Sequence, residues 1–215
     1  MIKWTAVAVL LAGVTGFGTV PAVAAQSACA ELGGTVDAAA QCHIDRADAG
    51  FRFQASFPVG YPDQQAVASY LTGERDRMAD YAAMYPPTGR ESGYELTITG
   101  KPYQSAGTES VVFGAQNDSG AANEGRPATS YTAFTYDLGR GAPITFASLF
   151  KPGTTPADVH DAAPHLPAPD DFGVHGYRNF ALTDDAVVIF IDQDFLHVGP
   201  RSVSVPRSEL AALLA

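Results

Sequence analysis

The spacing of apolar residues predicts a strand and then a long helix in the first half of the chain. From position 51 to 58 every second residue is apolar, a period typical of a half-buried strand that ends at Pro58. From position 62 to 85 apolar residues recur at helical spacing, and Pro86 stops the pattern. The pattern predicts one long helix, in which Gly73 marks a bend or a close contact with the sheet.

The second half of the chain reads mainly as strands. Alternating or β-branched segments predict strands at positions 94–99, 110–113, 129–136, 143–146 and 202–205. Three other segments are not predicted as strands. We expect a loop at 115–127, a single helical turn at 147–150 and a short C-terminal helix at 206–214. Because four prolines interrupt positions 154–175, we expect that segment to cross the surface without regular structure.

A hairpin is predicted near the C-terminus. Thr183-Asp184-Asp185 supplies a polar turn, and Ala186–Ile191 follows as an unbroken apolar run. Such a run is typical of a strand covered on both faces, which places it near the centre of a sheet. Together these elements predict an α+β fold whose helices pack mainly on one face of the sheet. The sheet is expected to be rich in antiparallel pairs, and a mixed sheet is the alternative.

The first 25 residues predict export. Lys3 precedes an apolar run, and Ala22-Val23-Ala24 forms the small-x-small pattern that signal peptidase cleaves, so cleavage falls at Ala24 and Ala25. An uncleaved membrane anchor is the alternative. The expected organisation is a signal peptide at 1–25, a disulfide-stapled segment at 26–50 and one α+β domain at 51–215.

Charge and cysteine content narrow the possible partners and the compartment. Thirteen basic residues face 23 acidic ones, and the formal net charge of −10 disfavours nucleic acid and anionic membrane surfaces. Cys29 and Cys42 are the two cysteines, and in an exported chain they predict a disulfide that fastens the N-terminus. A metal site that includes the adjacent His43 is the weaker alternative, because no second ligand cluster completes it.

Catalytic motifs are sparse. The chain lacks Gly-x-Ser-x-Gly, so a serine hydrolase would be atypical. Ser119 is the best candidate nucleophile because the following Gly120 allows a tight turn that exposes the hydroxyl; the alternative is an ordinary turn serine. No base is assigned among the five histidines, which are His43, His160, His165, His175 and His197.

Metal and cofactor sites are not expected. The histidines between positions 160 and 175 lie near aspartates, but their spacing matches no zinc motif. Asp192 and Asp194 lack the glycine and bidentate glutamate of a calcium loop. We therefore predict neither a metal nor a cofactor.

Several segments resemble one known family, the secreted mycobacterial immunogenic proteins that share a domain with the extracytoplasmic part of the anti-sigma factor RsiV. The matching segments run in the family's order over nearly the whole mature chain. They are Cys29-Ala-Glu-Leu-Gly-Gly-Thr-Val36 with Cys42-His43, Phe57-Pro-Val-Gly-Tyr-Pro-Asp-Gln-Gln65, Pro143-Ile-Thr-Phe-Ala-Ser-Leu-Phe-Lys-Pro-Gly-Thr154, Tyr177-Arg-Asn-Phe-Ala-Leu-Thr-Asp-Asp185 and Val205-Pro-Arg-Ser-Glu209.

This resemblance implies an exported α+β fold related to a β-grasp, with a helix across the sheet. Its implied functions are mixed: cell-envelope antigens, lysozyme binding as in RsiV, or carboxylesterase activity on short acyl esters in the members that share the cysteine-bearing start. Two departures stand out. Arg126 occupies the position of a family histidine, and the segment at 155–176 is shorter and interrupted by proline where relatives insert a helix.

The resulting hypothesis is an exported envelope or extracellular binding protein, and the alternative is a short-chain carboxylesterase. For the binding hypothesis, the negative charge would attract a cationic protein, while an envelope glycan or an acyl ester are the other ligands considered. Tyrosines would supply contact area; they are Tyr61, Tyr70, Tyr81, Tyr85, Tyr94, Tyr103, Tyr131, Tyr136 and Tyr177.

Overall fold

The structure is a computed structural model that describes residues 29–89, 93–119, 128–171, 173–193 and 199–215. The predicted signal peptide at 1–25, with its cleavage site at Ala24 and Ala25, lies outside these residues, and so does Arg126. Within the described part of the chain, no helix combines the length and apolar character needed to cross a membrane.

The described chain includes ten strands and three α-helices, together with a helical stretch at 29–31 and a 3-10 turn at His175–Tyr177. The strands are β1 (Thr35–Val36), β2 (Gln41–Asp48), β3 (Phe51–Pro58), β4 (Tyr94–Ser105), β5 (Thr108–Asp118), β6 (Ala128–Asp137), β7 (Ala142–Pro143), β8 (Phe180–Leu182), β9 (Ala186–Ile191) and β10 (Arg201–Pro206). The helices are α1 (Gln64–Met84), α2 (Phe146–Leu149) and α3 (Pro156–Ala162).

Two sheets organise these elements. The larger has seven strands in sequence order, from β1 to β7, and the smaller has the order β10-β9-β8. β3 and β4 pair in parallel, with α1 as the crossover between them, and every other pairing of named strands is antiparallel. The expected α+β class is confirmed, and the large sheet is mixed.

Helix α1 covers one face of the large sheet. Asp63 caps its first turn by accepting a hydrogen bond from the backbone N–H of Ala66, and the helix ends before Pro86. Its apolar side buries Val67 and Leu71 in the core that Phe53 also joins. The long helix predicted from the spacing of apolar residues is therefore confirmed.

Of the two roles expected for Gly73, a close contact with the sheet is wrong: a Cβ added there meets no atom within 4 Å. We predict that Gly73→Ala raises the free energy of unfolding by about 0.5–1 kcal/mol, because alanine restricts the unfolded chain and fits the helix. Urea unfolding followed by circular dichroism measures this change. Gly34→Ala is the control and should be destabilising, since its Cβ would lie 2.8 Å from the His43 carbonyl oxygen. A loss of stability in Gly73→Ala would contradict the prediction.

The small sheet packs on the opposite face of the large one. Ala181 of β8 and Phe190 of β9 bury Val112 of β5 between the two sheets. The run from Ala186 to Ile191 is indeed buried, as its sequence predicts, and it lies in the middle of its sheet. That sheet is a separate one, because β9 pairs with β8 and β10 and with no strand of the large sheet.

Side chains next to the ends of β8 and β9 form hydrogen bonds with the backbone groups on the outer edge of β6. Strand β7 pairs with β6 only at its end. Asn179 donates to the Tyr131 carbonyl at 2.7 Å and accepts from the N–H of Ala133 at 3.3 Å. Asp192 accepts from the N–H of Tyr131 at 2.7 Å, and Gln193 pairs with the backbone of Thr129. The two sheets are thus joined by specific hydrogen bonds as well as by apolar contact.

Three sequence predictions need correction. The proline-rich segment contains helix α3, because Pro156 sits in the first turn, where no N–H is needed, and Thr155 caps the helix. Val159 then joins the core around the small sheet. The loop predicted at 115–127 is wrong at its start, because β5 continues to Asp118, and positions 120–127 lie outside the described residues.

The expected C-terminal helix at 206–214 is a series of turns. Its backbone groups form hydrogen bonds with Lys151 and with the last residue of α2. The Lys151 N–H donates to the Leu213 carbonyl, and the Ala215 N–H donates to the Leu149 carbonyl. Leu210 is buried in the neighbouring core. Local bonds form isolated turns, as from the Leu214 N–H to the Leu210 carbonyl at 3.0 Å, and the tertiary bonds hold these turns in place.

Candidate active site

The outer face of strands β2, β3 and β4 is polar and is not covered by α1, which lies on the other face. Along each strand, alternate residues are buried under the helix, and the intervening ones point outward. The outward side chains form a depression of about 370 Å³ and include His43, Asp45, Gln54, Ser56, Thr97 and Thr99. We call this surface the open face.

His43 forms a short hydrogen bond with Asp37 on the open face. Its Nε2 lies 2.9 Å from Oδ2 of Asp37, and the two side chains are 53% and 43% exposed. Because an ionised carboxylate can only accept, Nε2 carries the hydrogen and Nδ1 of neutral His43 keeps its lone pair. His43 is therefore prepared to act as a general base through Nδ1.

Asp37 is held rigidly by its own turn. Its Oδ1 accepts hydrogen bonds from the N–H groups of Ala39 and Gln41, at 2.8 and 3.0 Å. The bond from Gln41, followed by the one from His43, lowers the pKa of Asp37, so the carboxylate stays charged.

The predicted disulfide between Cys29 and Cys42 is present and supports this turn. Asp37 lies within the loop that the disulfide closes, and His43 follows Cys42 directly on β2. Gly34 is required here because a Cβ would lie 2.9 Å from the Cys29 sulfur. The disulfide therefore fixes the segment that carries both members of the Asp–His pair.

Ser56 is the direct cross-strand partner of His43 in the β2–β3 register. Such partners share a face of the sheet and have Cβ atoms about 4.5–5.5 Å apart. Among the described hydrogen bonds none joins the two side chains, and rotation of the Ser56 hydroxyl is needed to reach Nδ1. Catalytic hydrogen bonds are commonly long in the absence of substrate, so this geometry is compatible with a nucleophile and its base.

Polar groups surround Ser56 on both sides. Gln54 precedes it by two residues on the same face, and Thr99 of β4 is its partner in the parallel register. Side-chain amides and hydroxyls can donate to an oxyanion. Asp45 is occupied, since Arg52 donates two hydrogen bonds to it, at 2.8 and 2.5 Å.

Among the described residues, no hydrogen bond joins a histidine to Ser119, the nucleophile predicted from the sequence. Ser119 is half-buried just after the end of β5, and no described hydrogen bond links it to a base. His43, through its bond to Asp37, becomes a candidate for the base that the sequence alone does not assign. The available signal was alternation at 42–45, where apolar Cys42 and Ile44 flank outward His43 and so mark strand β2.

His160, His165 and His175 are not among the residues that line the open face, and His197 lies outside the described residues. His165 is 3.7 Å from Glu209, and His160 lies on α3. His175 Nε2 donates to Oδ2 of Asp192 at 2.8 Å, in a turn where His175 itself has a φ of 51°. Because Asp192 also binds the backbone of β6, this second pair joins the two sheets. Among the described residues, no three potential ligands are grouped to hold a metal ion.

The fold is that of an α+β protein in which a helix, the large sheet and the small sheet form layers. The open face brings Asp, His and Ser side chains together on the exposed side of the large sheet. A solved DUF3298 family protein from Pseudomonas aeruginosa PAO1 has a similar fold, with a TM-score of 0.54, 13% identity, and coverage of 83% of this chain and 95% of that one. No family model matches the chain.

Curated relatives place the chain more closely. It is 37% identical over 213 residues to Esterase Rv3036c of Mycobacterium tuberculosis strain ATCC 25618 / H37Rv, covering 90% of this chain and 91% of that protein. It is 33% identical over 215 residues to immunogenic protein MPT64 of the same strain, covering 91% and 92%. The chain belongs to the family that contains these two proteins, as the resemblance predicts; the RsiV part of that resemblance stays a prediction.

Proposed function

We propose that the chain is an exported carboxylesterase that hydrolyses short-chain acyl esters on its open face. The observation that carries the proposal is the cross-strand placement of Ser56 beside the Asp37–His43 pair. A relative named an esterase, aligned over nearly the whole chain, supports the same activity. The disulfide supports export, because such bonds persist in oxidising compartments.

In the proposed reaction, Ser56 is the nucleophile, His43 the general base and Asp37 the orienting carboxylate. Nδ1 of His43 accepts the Ser56 proton as Oγ attacks the ester carbonyl carbon. The alkoxide leaves with that proton, and an acyl group remains on Ser56. Water then attacks the acyl carbon and gives its proton to His43, which returns it to Ser56 Oγ as the bond to the acyl group breaks and the acid leaves. Gln54 and Thr99 supply the side-chain donors for the oxyanion.

The binding hypothesis draws less support from the structure than from the sequence. Three of the nine tyrosines, Tyr61, Tyr94 and Tyr177, are buried, and Tyr85 is exposed at 54%. The other five are half-buried against the cores, so the tyrosines offer less contact surface than their number suggests. Attraction of a cationic partner by the net charge stays as the alternative.

Covalent labelling tests the nucleophile directly. The mature protein, incubated with a fluorophosphonate probe, should lose p-nitrophenyl acetate hydrolysis while gaining one adduct, and peptide mass spectrometry should locate that adduct on Ser56. Protein denatured before probe addition is the control and should stay unlabelled. An adduct on Ser119 would move the site to the end of β5, and absence of turnover would contradict the esterase proposal.

A further inference from the structure

The open face continues beyond the proposed nucleophile as one row across the sheet. The strand registers align His43, Ser56, Thr99, Gly114 and Tyr131, one on each strand from β2 to β6. Neighbouring strands lie about 4.8 Å apart, so Ser56 and Gly114 are separated by about 10 Å along this row. This distance is close to the length of two sugar rings.

An aromatic ring stands at the far end of the row. The ring of Tyr131 leans over Gly114, since a Cβ on Gly114 would lie 3.4 Å from Cε1 of Tyr131. Phe190 packs behind it, with ring centroids 5.4 Å apart, and Asn179 and Asp192 hold its backbone. Burial, with smaller contributions from Tyr103 and Asp192, raises the pKa of Tyr131, so the phenol is neutral. Tyr131 is thus a fixed, uncharged stacking surface.

The depression around Ser56, which lies on β2, β3 and β4 at the near end of the row, suits hydroxyl groups and not a long acyl chain. Its outward side chains are amides, hydroxyls, an imidazole and a carboxylate. The apolar residues that also line it, Ile44, Ala55 and Ile98, are at most 5% exposed, because their side chains belong to the core beneath. A long acyl chain would therefore find little apolar surface here.

Charge selects among the possible polar substrates. The chain carries a formal net charge of −10, and Arg52, which lies on the open face, is engaged by Asp45. A polyanionic glycan would be repelled by the overall field and would find this arginine occupied. A neutral glycan has no such penalty.

We infer that the substrate is a neutral polysaccharide bearing O-acetyl groups, laid along the row from Ser56 to Tyr131. This inference rests on the proposed function. Ser56 Oγ bonds to the acetyl carbon, the bond from that carbon to the sugar oxygen breaks, and His43 delivers the proton to the sugar hydroxyl. Water then hydrolyses the acetyl-enzyme and releases acetate. Tyr131 stacks on a ring about two sugar units away.

The experiment compares two probes. Partly O-acetylated xylo-oligosaccharides serve as the neutral glycan, with acetate release measured by NMR, and p-nitrophenyl acetate serves as an ester without sugar. Tyr131→Ala should lower kcat/KM about tenfold on the glycan through KM and leave p-nitrophenyl acetate unchanged. Tyr103→Ala is the matched control, since Tyr103 packs on the same Phe190 at 5.6 Å but lies outside the row; it should affect neither probe.

Each outcome has a separate meaning. Turnover of p-nitrophenyl acetate without acetate release from the glycan overturns this inference and leaves the esterase proposal standing. No turnover of either probe overturns the esterase proposal itself. Equal losses in the two tyrosine variants exclude a specific role for Tyr131. If Tyr131→Ala does not fold, Thr97→Val is the second test variant. Valine is similar in size to threonine, and position 97 lies outside the packing between the sheets. This variant should weaken turnover of the glycan and not that of p-nitrophenyl acetate.

Discussion

Ser56→Ala should lower kcat/KM for p-nitrophenyl acetate more than about a thousandfold, because loss of a nucleophile removes the covalent route entirely. Folding should be unaffected, since Ser56 is half-buried on the open face and the described hydrogen bonds include none from its hydroxyl. His43→Ala should produce a loss of similar size, and the double variant should lose no more than either single one. Such non-additivity is typical of residues that act as a unit.

The matched variant is Ser119→Ala, which tests the nucleophile predicted from the sequence alone. Steady-state kinetics and thermal unfolding of both serine variants, measured together, separate a catalytic loss from a loss of structure. Full activity in Ser119→Ala together with an inactive, folded Ser56→Ala supports the open-face site. The reverse pattern would place catalysis at the end of β5.

Removing the disulfide is the second change with a large expected effect. The bridge joins residues 13 apart, and a loop of this size stabilises the fold by about 3 kcal/mol through restriction of the unfolded chain. The variant Cys29→Ala/Cys42→Ala should therefore unfold at a lower urea concentration and at a temperature about 6–12 °C lower. Activity should fall as well, because the loop carries Asp37 and leads into His43.

Reduction with dithiothreitol supplies the control for this prediction. The reductant should destabilise the wild-type protein to the level of the double variant and leave that variant unchanged. If hydrolysis persisted unaltered at a temperature where both forms are folded, the loop would not be positioning the Asp–His pair.

Local patterns were sufficient to predict much of the fold. Strand β3, helix α1 and the β8–β9 hairpin each show periodicity and a turn or cap in their own sequence. The division into two sheets could not be predicted in this way, since the unbroken apolar run of β9 indicates burial but not the sheet it joins. Helix α3 forms despite the prolines that argue against it, because Pro156 occupies the first turn, where its missing N–H is tolerated.

The candidate site depended on information that no local pattern contains. Ser56 and His43 are 13 positions apart and meet only through the register of β2 and β3. Asp37 belongs to a turn whose geometry follows from the disulfide and from the bonds to Ala39 and Gln41. The local sequence therefore favours Ser119, which a glycine follows, because a glycine turn can expose a hydroxyl. A serine within a regular strand, such as Ser56, carries no such signal.

The side chains that occupy the outer edge of β6 also bear on how this protein behaves at high concentration. An exposed strand edge can recruit a strand from another molecule and start aggregation. Here Asn179, Asp192 and Gln193 already bind the backbone groups at Thr129, Tyr131 and Ala133 that an incoming strand would need. Intermolecular strand addition at these positions would have to break those bonds first, which protects the folded chain against self-association along this side.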